Sequence, residues 1–449
     1  MKPMKKSKLR WLRNSAMLLP AALLAGACTS NWPQYRGPEQ NLVVRQPNLP
    51  SEWGEGENIR WSTAIEGDGW SSPVVWGNRI FVTAAVPLRV NPPAAQQGAP
   101  PGGQEDQGWK NDIYRWQVAC YDAESGEELW KVVAREGNPR TSKHPATTYA
   151  SESPVVDGQR LYVYFGMVGM FCYDHEGQLL WEKDLGAYET LNGWGTGSSP
   201  VLHNGLLYQQ VDNEEQSFLV ALDAASGEEV WRVSRDEKTN YSTPVIWENG
   251  DRTELVTAGK RARSYDPSTG KLLWELQING FYSIPSPVPG EDIIYLGGAG
   301  FRDTPGTLFA VKEGAEGDIT PDGGETTSEY VVWSNPDAPT ENPTPLLYNG
   351  LLYVLSSRGG TLTCFDAETG EQLYQEKADG VGACWASPWA HGNHIYFYDE
   401  SGKTSVVRAG DEFDLIGQNS LDGKFWASVA VAGDSYIFKA VETLYCVGL

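Results

Sequence analysis

CYDAESGEELWKV, residues 120–132, returns in edited form along the chain: CYDHEGQLLWEKD from Cys172, LDAASGEEVWRV from Leu222, YDPSTGKLLWEL from Tyr265 and CFDAETGEQLYQE from Cys364. Each copy is the end of an apolar strand, an Asp, a turn closed by Gly, and a second strand with an aromatic four residues after that Gly. The aromatics are Trp130, Trp181, Trp231, Trp274 and Tyr374. Apolar alternation on both sides of a short loop predicts a β-hairpin, in which the Asp carboxylate binds the turn backbone and the Gly takes a positive φ.

A second hairpin precedes each copy. It opens on Ser/Thr-Pro and runs strand, polar turn, strand, as in SSPVVWGNRIFVT from Ser71 and SPVVDGQRLYVYFG from Ser153. Its lead prolines are Pro73, Pro154, Pro200, Pro244, Pro285, Pro345 and Pro388, with Val429 in the eighth position. Most of these are 41 to 46 residues apart, the length of one four-stranded propeller blade. The spacing of 81 after Pro73 holds a Pro/Gln/Gly-rich insert, about 87–112, expected to be disordered, and the spacing of 60 after Pro285 holds a shorter excursion around 313–328.

The fold expected is therefore all-β: one eight-bladed propeller of four-stranded antiparallel blades over residues 58–449. After Trp426 only three strands remain, while NIRWSTA, residues 58–64, is an orphan that matches the aromatic-bearing strand. Trp61 is thus assigned to blade eight, so that the N-terminal strand closes the ring and leaves no long unpaired edge.

Outside the repeats, residues 1–27 read as a signal peptide, with a basic start and a short apolar run from Met17 to Ala25. Leu24-Ala25-Gly26-Ala27-Cys28 is similar to a bacterial lipobox, which makes Cys28 the candidate lipidation site; a simple cleavage site for a soluble exported protein is the alternative. Thr29, rather than Asp, after that Cys is compatible with delivery to an outer membrane, which places the protein on the periplasmic face of the cell envelope. Residues 28–57, rich in Pro, Asn and Gln, read as an extended surface segment. The mature chain carries 29 Lys and Arg against 58 Asp and Glu, and a surface this acidic repels nucleic acid and anionic headgroups.

Cys120, Cys172, Cys364 and Cys446 share one repeat position, so they lie in different blades, about 10 Å or more apart, beyond disulfide reach. They are expected to be buried apolar residues, and Cys384 stands outside the pattern. His391 and His394 fall in a strand-turn-strand and read as a polar turn rather than a metal pair. The repeated Ser-Pro and Asp positions are turn formers, since near-identical copies cannot all be catalytic. Arg261 and Arg263 are a candidate positive spot. No catalytic or metal-binding residue is assigned.

One constellation carries a functional expectation. Three residues before each lead position stand Trp70, Ser151, Gly197, Tyr241, Tyr282, Asn342, Trp385 and Trp426, where the chain turns toward the central channel. Five of the eight are large aromatics. They either fill the narrow mouth between blades or form an aromatic funnel for a peptide, a glycan or a flat ligand, with Trp194 in NGWGTGSS as a further candidate.

Repeats of the form x-x-D-x-x-[ST]-G-x-x-x-W resemble those of the pyrroloquinoline quinone (PQQ) β-propeller family, over nearly all of residues 58–449. NWPQYRGPEQN, TTYASESPVVDGQRLYVYFG, GWGTGSSPV and WASPWAHG also resemble bacterial PQQ-like propeller lipoproteins. The resemblance implies that Trp61, Trp130, Trp181, Trp231, Trp274, Trp333 and Tyr374 dock between adjacent blades, with each indole N–H on a backbone acceptor. Quinoprotein dehydrogenases of similar fold hold PQQ and calcium in the channel, beneath a vicinal Cys pair, and this chain has no such pair. No cofactor is expected. The function expected is a monomeric, lipid-anchored, non-enzymatic scaffold that binds envelope proteins or peptides; a PQQ-dependent oxidoreductase and a peptide- or carbohydrate-binding module are the alternatives.

Overall fold

The computed structural model describes residues 31–90, 107–278, 282–300, 306–338 and 340–449. The signal segment and Cys28 lie outside the described residues. Eight four-stranded antiparallel units form a ring, and two of them gain a fifth strand. Blade one comprises Val74–Trp76, Arg79–Arg89, Ile113–Asp122 and Glu128–Gly137, numbered from the channel outward.

The repeated turn is built as its residues dictate. Asp122 Oδ1 accepts the backbone N–H of Glu124 (3.0 Å) and Ser125 (2.8 Å), and Asp223 and Asp366 do the same in their blades. Gly126 takes φ +74° to close the turn. A register shift follows at the start of the outer strand, so that Tyr121 faces Glu128 but Cys120 faces Trp130. This turns each aromatic toward the next blade. Trp61, Trp130, Trp181, Trp231 and Trp333 donate their indole N–H to backbone carbonyls of Ala123, His175, Ala224, Pro267 and Ala367, at 2.9–3.2 Å. A Cβ on Gly126 would stand 2.6 Å from the Trp61 ring, so this glycine serves both the turn and the dock.

Two docking positions differ from the expectation. Trp274 is fully buried and donates instead to Glu254 Oε2 of its own blade (2.7 Å). Blade five has no Asp/Gly turn to receive it, and the 313–328 excursion folds back over it, pairing Gly317–Asp318 in parallel with the Trp274 strand. Trp247 makes the crossing in its place, donating to Gly290 O of blade five (2.9 Å). Tyr374 packs edge-on against Phe413 of blade seven, whose outer strand, Leu415–Ser420, carries no aromatic.

Ring closure follows the sequence reading. Ile59–Ala64 pairs antiparallel with Thr443–Gly448 as the outer strand of blade eight. Arg60 fixes it with a two-pronged bond to Asp434 (2.6 and 2.9 Å). In blade one the second strand runs on to Arg89 and Gln107–Asn111 forms a 3-10 turn, so both ends of the 87–112 insert are ordered; residues 91–106 lie outside the described residues.

The segment 31–57 is not a surface strand. Trp32, Arg36, Leu42 and Trp53 are each 1–3% exposed. Trp32 bridges Val75 of blade one, Val156 N donates to Pro33 O (2.8 Å), and Gln40 both donates to and accepts from Ile246 of blade four. Arg36 donates to Pro287 O of blade five (2.9 Å), and Asn41 to Leu347 O of blade six (2.8 Å). Val43–Val44 then pairs in parallel with Trp389–His391, the inner strand of blade seven, and Trp53 packs among Tyr396, Tyr436 and Phe438. The segment crosses the ring of inner strands as a plug. Sequence periodicity could not show this, because the segment meets each blade through one or two residues.

Candidate functional site

Seven inner strands meet the channel in one register and blade five is offset by two residues, its belt residue Ser286 preceding Pro287 rather than Pro285; the layers stack along the channel axis. Two residues beyond the lead position, at Val75, Val156, Ile246, Pro287, Leu347 and Ala390, the strands hold the plug. One residue before it, or before Pro287 in blade five, a belt of hydroxyls ties blade to blade. The backbone N–H of Ser72, Ser153, Ser199, Thr243, Ser286, Thr344 and Ser387 each donates to the side-chain oxygen at the same position of the next blade, at 2.8–3.1 Å. This is what the repeated Ser/Thr-Pro does, and it accounts for those serines without catalysis. Three residues before the lead stand the eight channel-mouth positions.

All eight mouth residues line one cavity of about 480 Å³, with Trp194 on its rim and Tyr35 of the plug as floor. Trp426 is sandwiched between Trp70 (centroids 4.0 Å apart, 4° between planes) and Trp385 (4.6 Å, 3°), a three-ring stack drawn from blades one, seven and eight. Trp385 donates its indole N–H to Glu400 (3.0 Å), and Lys424, bonded to Glu400 (2.9 Å), lies over Trp426. Tyr241 and Tyr282 meet edge to face across blades four and five (6.1 Å), and Trp194 stacks on His144 (3.8 Å). Half-buried rings around an open volume fit a funnel better than a packed plug of side chains.

Among the described residues no Asp, Glu, Lys, Arg or His lines this cavity. Calcium takes six to eight oxygen ligands with carboxylates among them. Among the described residues no group of three or more His, Cys, Asp or Glu is placed to hold a metal ion. The described lining thus offers no carboxylate to a calcium-bound quinone.

Other candidates resolve into structure. Arg263 is 5% exposed and locked by Glu237 (2.8 Å), Glu275 (3.1 Å) and Asp236; Arg261 is paired with Glu275 (2.7 Å). The expected positive spot is thus neutralised, because acidic residues converge on it from neighbouring loops and strands. His391 bonds Gln46 O of the plug (2.7 Å) and faces His394 across its hairpin. The five described cysteines are buried and unpaired, and burial pushes the thiols of Cys120, Cys172, Cys364 and Cys384 up to about 12. Sequence reasoning missed two buried ionisable groups that lie outside the lining of the well. Glu152, beside the belt and bonded to Thr196, is raised by desolvation to about 7. Lys439, bonded to Gly69 O, is lowered by desolvation to about 7.

The family described as outer membrane protein assembly factor BamB matches residues 115–281 and 319–425, more than half of the chain. The chain belongs to this family. The PQQ-like propeller resemblance read from the repeats is borne out. Among solved structures, BamB from Moraxella catarrhalis superposes with a TM-score of 0.55 at 12% identity, over 86% of this chain and 98% of that one. A europium-containing methanol dehydrogenase superposes at 0.61 and 11% identity, over 92% and 90%. At these identities the likeness is one of fold. Quinohemoprotein alcohol dehydrogenase ADH IIB of Pseudomonas putida is 28% identical over 296 residues, 55% of this chain but only 39% of the dehydrogenase. The chain therefore spans well under two thirds of that relative.

Proposed function

We propose that this member of the BamB family is an exported, lipid-anchored, non-enzymatic propeller that binds protein segments of the bacterial cell envelope in its central well. The observation that carries the reading is the convergence of eight mouth residues, one per blade, on a single neutral, aromatic cavity closed at one end by the plug. Rigid amphipathic rings cost little side-chain entropy when they bind, and they accept varied partners. The quinoprotein relatives motivate an oxidoreductase reading, but a cavity wall without carboxylates weighs against it.

The plug also orients the molecule. Asn31 accepts the N–H of Gly77 (2.9 Å) on the plugged face, and Cys28 precedes it by three residues, which span at most about 11 Å. A lipid on Cys28 sets the plugged face toward the bilayer and the mouth of the well away from it.

The test is the double substitution Trp385→Ala, Trp426→Ala. Recovery of envelope proteins on the immobilised protein should fall while the melting point moves by a few degrees at most, because these rings are half-exposed. Unchanged recovery with a large stability loss would make them mere packing. Absorbance and dye reduction after addition of PQQ and calcium should show no change; a bound, reducible quinone would establish the oxidoreductase reading instead.

A further inference from the structure

The floor of the well has a chemical polarity that its walls lack. Ser153, Ser199, Thr243, Ser286 and Ser428 each already accept a backbone N–H, which leaves their hydroxyl protons to donate. Among the described residues no protein group accepts those protons. One layer below, Arg36 is 2% exposed; its Nη1 holds Pro287 O (2.9 Å) and its Nη2 has no partner. Among the described residues no carboxylate pairs with this guanidinium, and burial lowers it to about 10. Arg36 lines a small cavity of about 10 Å³ with Thr243 and Ser286, which also line the well, and the neighbouring Tyr35 separates the two spaces.

An uncompensated buried cation costs several kcal/mol in general, so a site that retains one is complementary to an anion. A ring of O–H donors above it suits an oxygen-rich group with lone pairs to spare. A carboxylate uses both the hydroxyl protons and the buried cation, whereas a neutral glycan would leave the guanidinium unmatched. The plug adds a steric condition. An open channel could thread a polypeptide, whereas a blind well admits only an end. Donors and a cation at the bottom select the carboxylate end over the amino end, and the stacked tryptophans above select apolar or aromatic side chains beside it.

We propose that the well captures the carboxy-terminal end of a partner polypeptide, its carboxylate on the hydroxyl belt over Arg36 and its last side chains against Trp70, Trp385, Trp426 and Tyr241. This rests on the scaffold reading above and names its ligand.

The experiment is a calorimetric or fluorescence titration of the full chain with the pentapeptide acetyl-Gly-Ser-Gly-Leu-Phe as free acid and as C-terminal amide. The acid should bind and the amide should bind at least tenfold more weakly, a comparison made on the unaltered protein. Ser428→Ala should weaken the acid severalfold and leave the amide unmoved. Arg36→Met should do the same if it folds, and the acid/amide ratio stands without it. Equal binding of acid and amide would overturn the proposal. So would N-acetylphenylalanine binding as tightly as the pentapeptide, which would make the ligand a small acid, or maltopentaose binding where the peptide acid does not. If neither peptide binds while envelope recovery still depends on Trp385 and Trp426, this inference fails and the scaffold stands. If recovery is also indifferent to those tryptophans, both fail.

Discussion

Ring closure rests on a contact small enough to be removed by one substitution. Trp61 belongs to the N-terminal strand, yet its ring lies on Gly126 of blade one and its N–H donates to Ala123 O (3.1 Å). Trp61→Ala removes ring burial of about 2–3 kcal/mol. It also removes one hydrogen bond of about 1 kcal/mol net. The sum, about 3–4 kcal/mol, agrees with the usual cost of truncating a buried Trp. With a urea slope of roughly 3 kcal/mol/M for a chain of this size, the midpoint should fall by about 1 M. Trp194→Ala, on a rim residue 37% exposed, should shift it by well under half of that. The packing itself is tested by Gly126→Ala. In the natural chain the new methyl meets the Trp61 ring at 2.6 Å, Thr63 Oγ1 at 2.7 Å and a backbone at φ +74°; with Trp61→Ala the ring clash is gone and the other two remain. The two substitutions should therefore be non-additive by about 1 kcal/mol or more. Additive costs, or an unshifted midpoint for Trp61→Ala, would refute the closure as drawn.

Trp53→Ala in the plug should cost about 3–5 kcal/mol, read by chemical denaturation, since Trp53 is 3% exposed among three aromatic rings. A neutral result would mean that the plug is not part of the folded unit. The pH dependence has two limbs. Glu152, raised from 4.5 to about 7, contributes stability that is present below pH 4.5 and lost as pH rises toward 7; Glu152→Gln should flatten that limb. Lys439, lowered from 10.5 to about 7, contributes stability present above pH 10.5 and lost as pH falls through 7; Lys439→Met should flatten the alkaline limb. Together these two groups give a stability minimum near neutral pH, checked by denaturation midpoints from pH 4 to 10.

What could be read from the chain was what repeats locally. An Asp that binds its own turn, a Gly forced to positive φ and an aromatic four residues later are interactions within about ten residues, so each copy carries its own signature. The count of blades and the donated strand followed from that period. Arg263 was misjudged for the opposite reason: on its strand it alternates like a solvent-facing residue, and only the fold brings Asp236, Glu237 and Glu275 around it. Trp274 misled in a similar way. Its own repeat is intact, but docking is decided by the neighbouring blade, and blade five has replaced its turn with the excursion that covers the ring.

The well was half legible, and the division follows the register of the inner strands. The position three residues before the lead differs from blade to blade and is rich in aromatics, so its composition stood out. The position one residue before it is almost invariantly Ser or Thr, which reads as turn chemistry; its role as a belt emerges only when each backbone N–H is followed to the next blade. The plug has no period at all. It reaches blades one, two, five, four, six and seven through Trp32, Pro33, Arg36, Gln40, Asn41 and Leu42–Val44, so that most blades are met by a single residue. A segment whose contacts with the blades are all distant in sequence leaves no repeat in its own residues, yet it closes one end of the cavity. Without it the ring would enclose a passage open at both faces. With it, Tyr35 closes the bottom of the well and Arg36 lies buried behind it, so that the passage is blocked at one face.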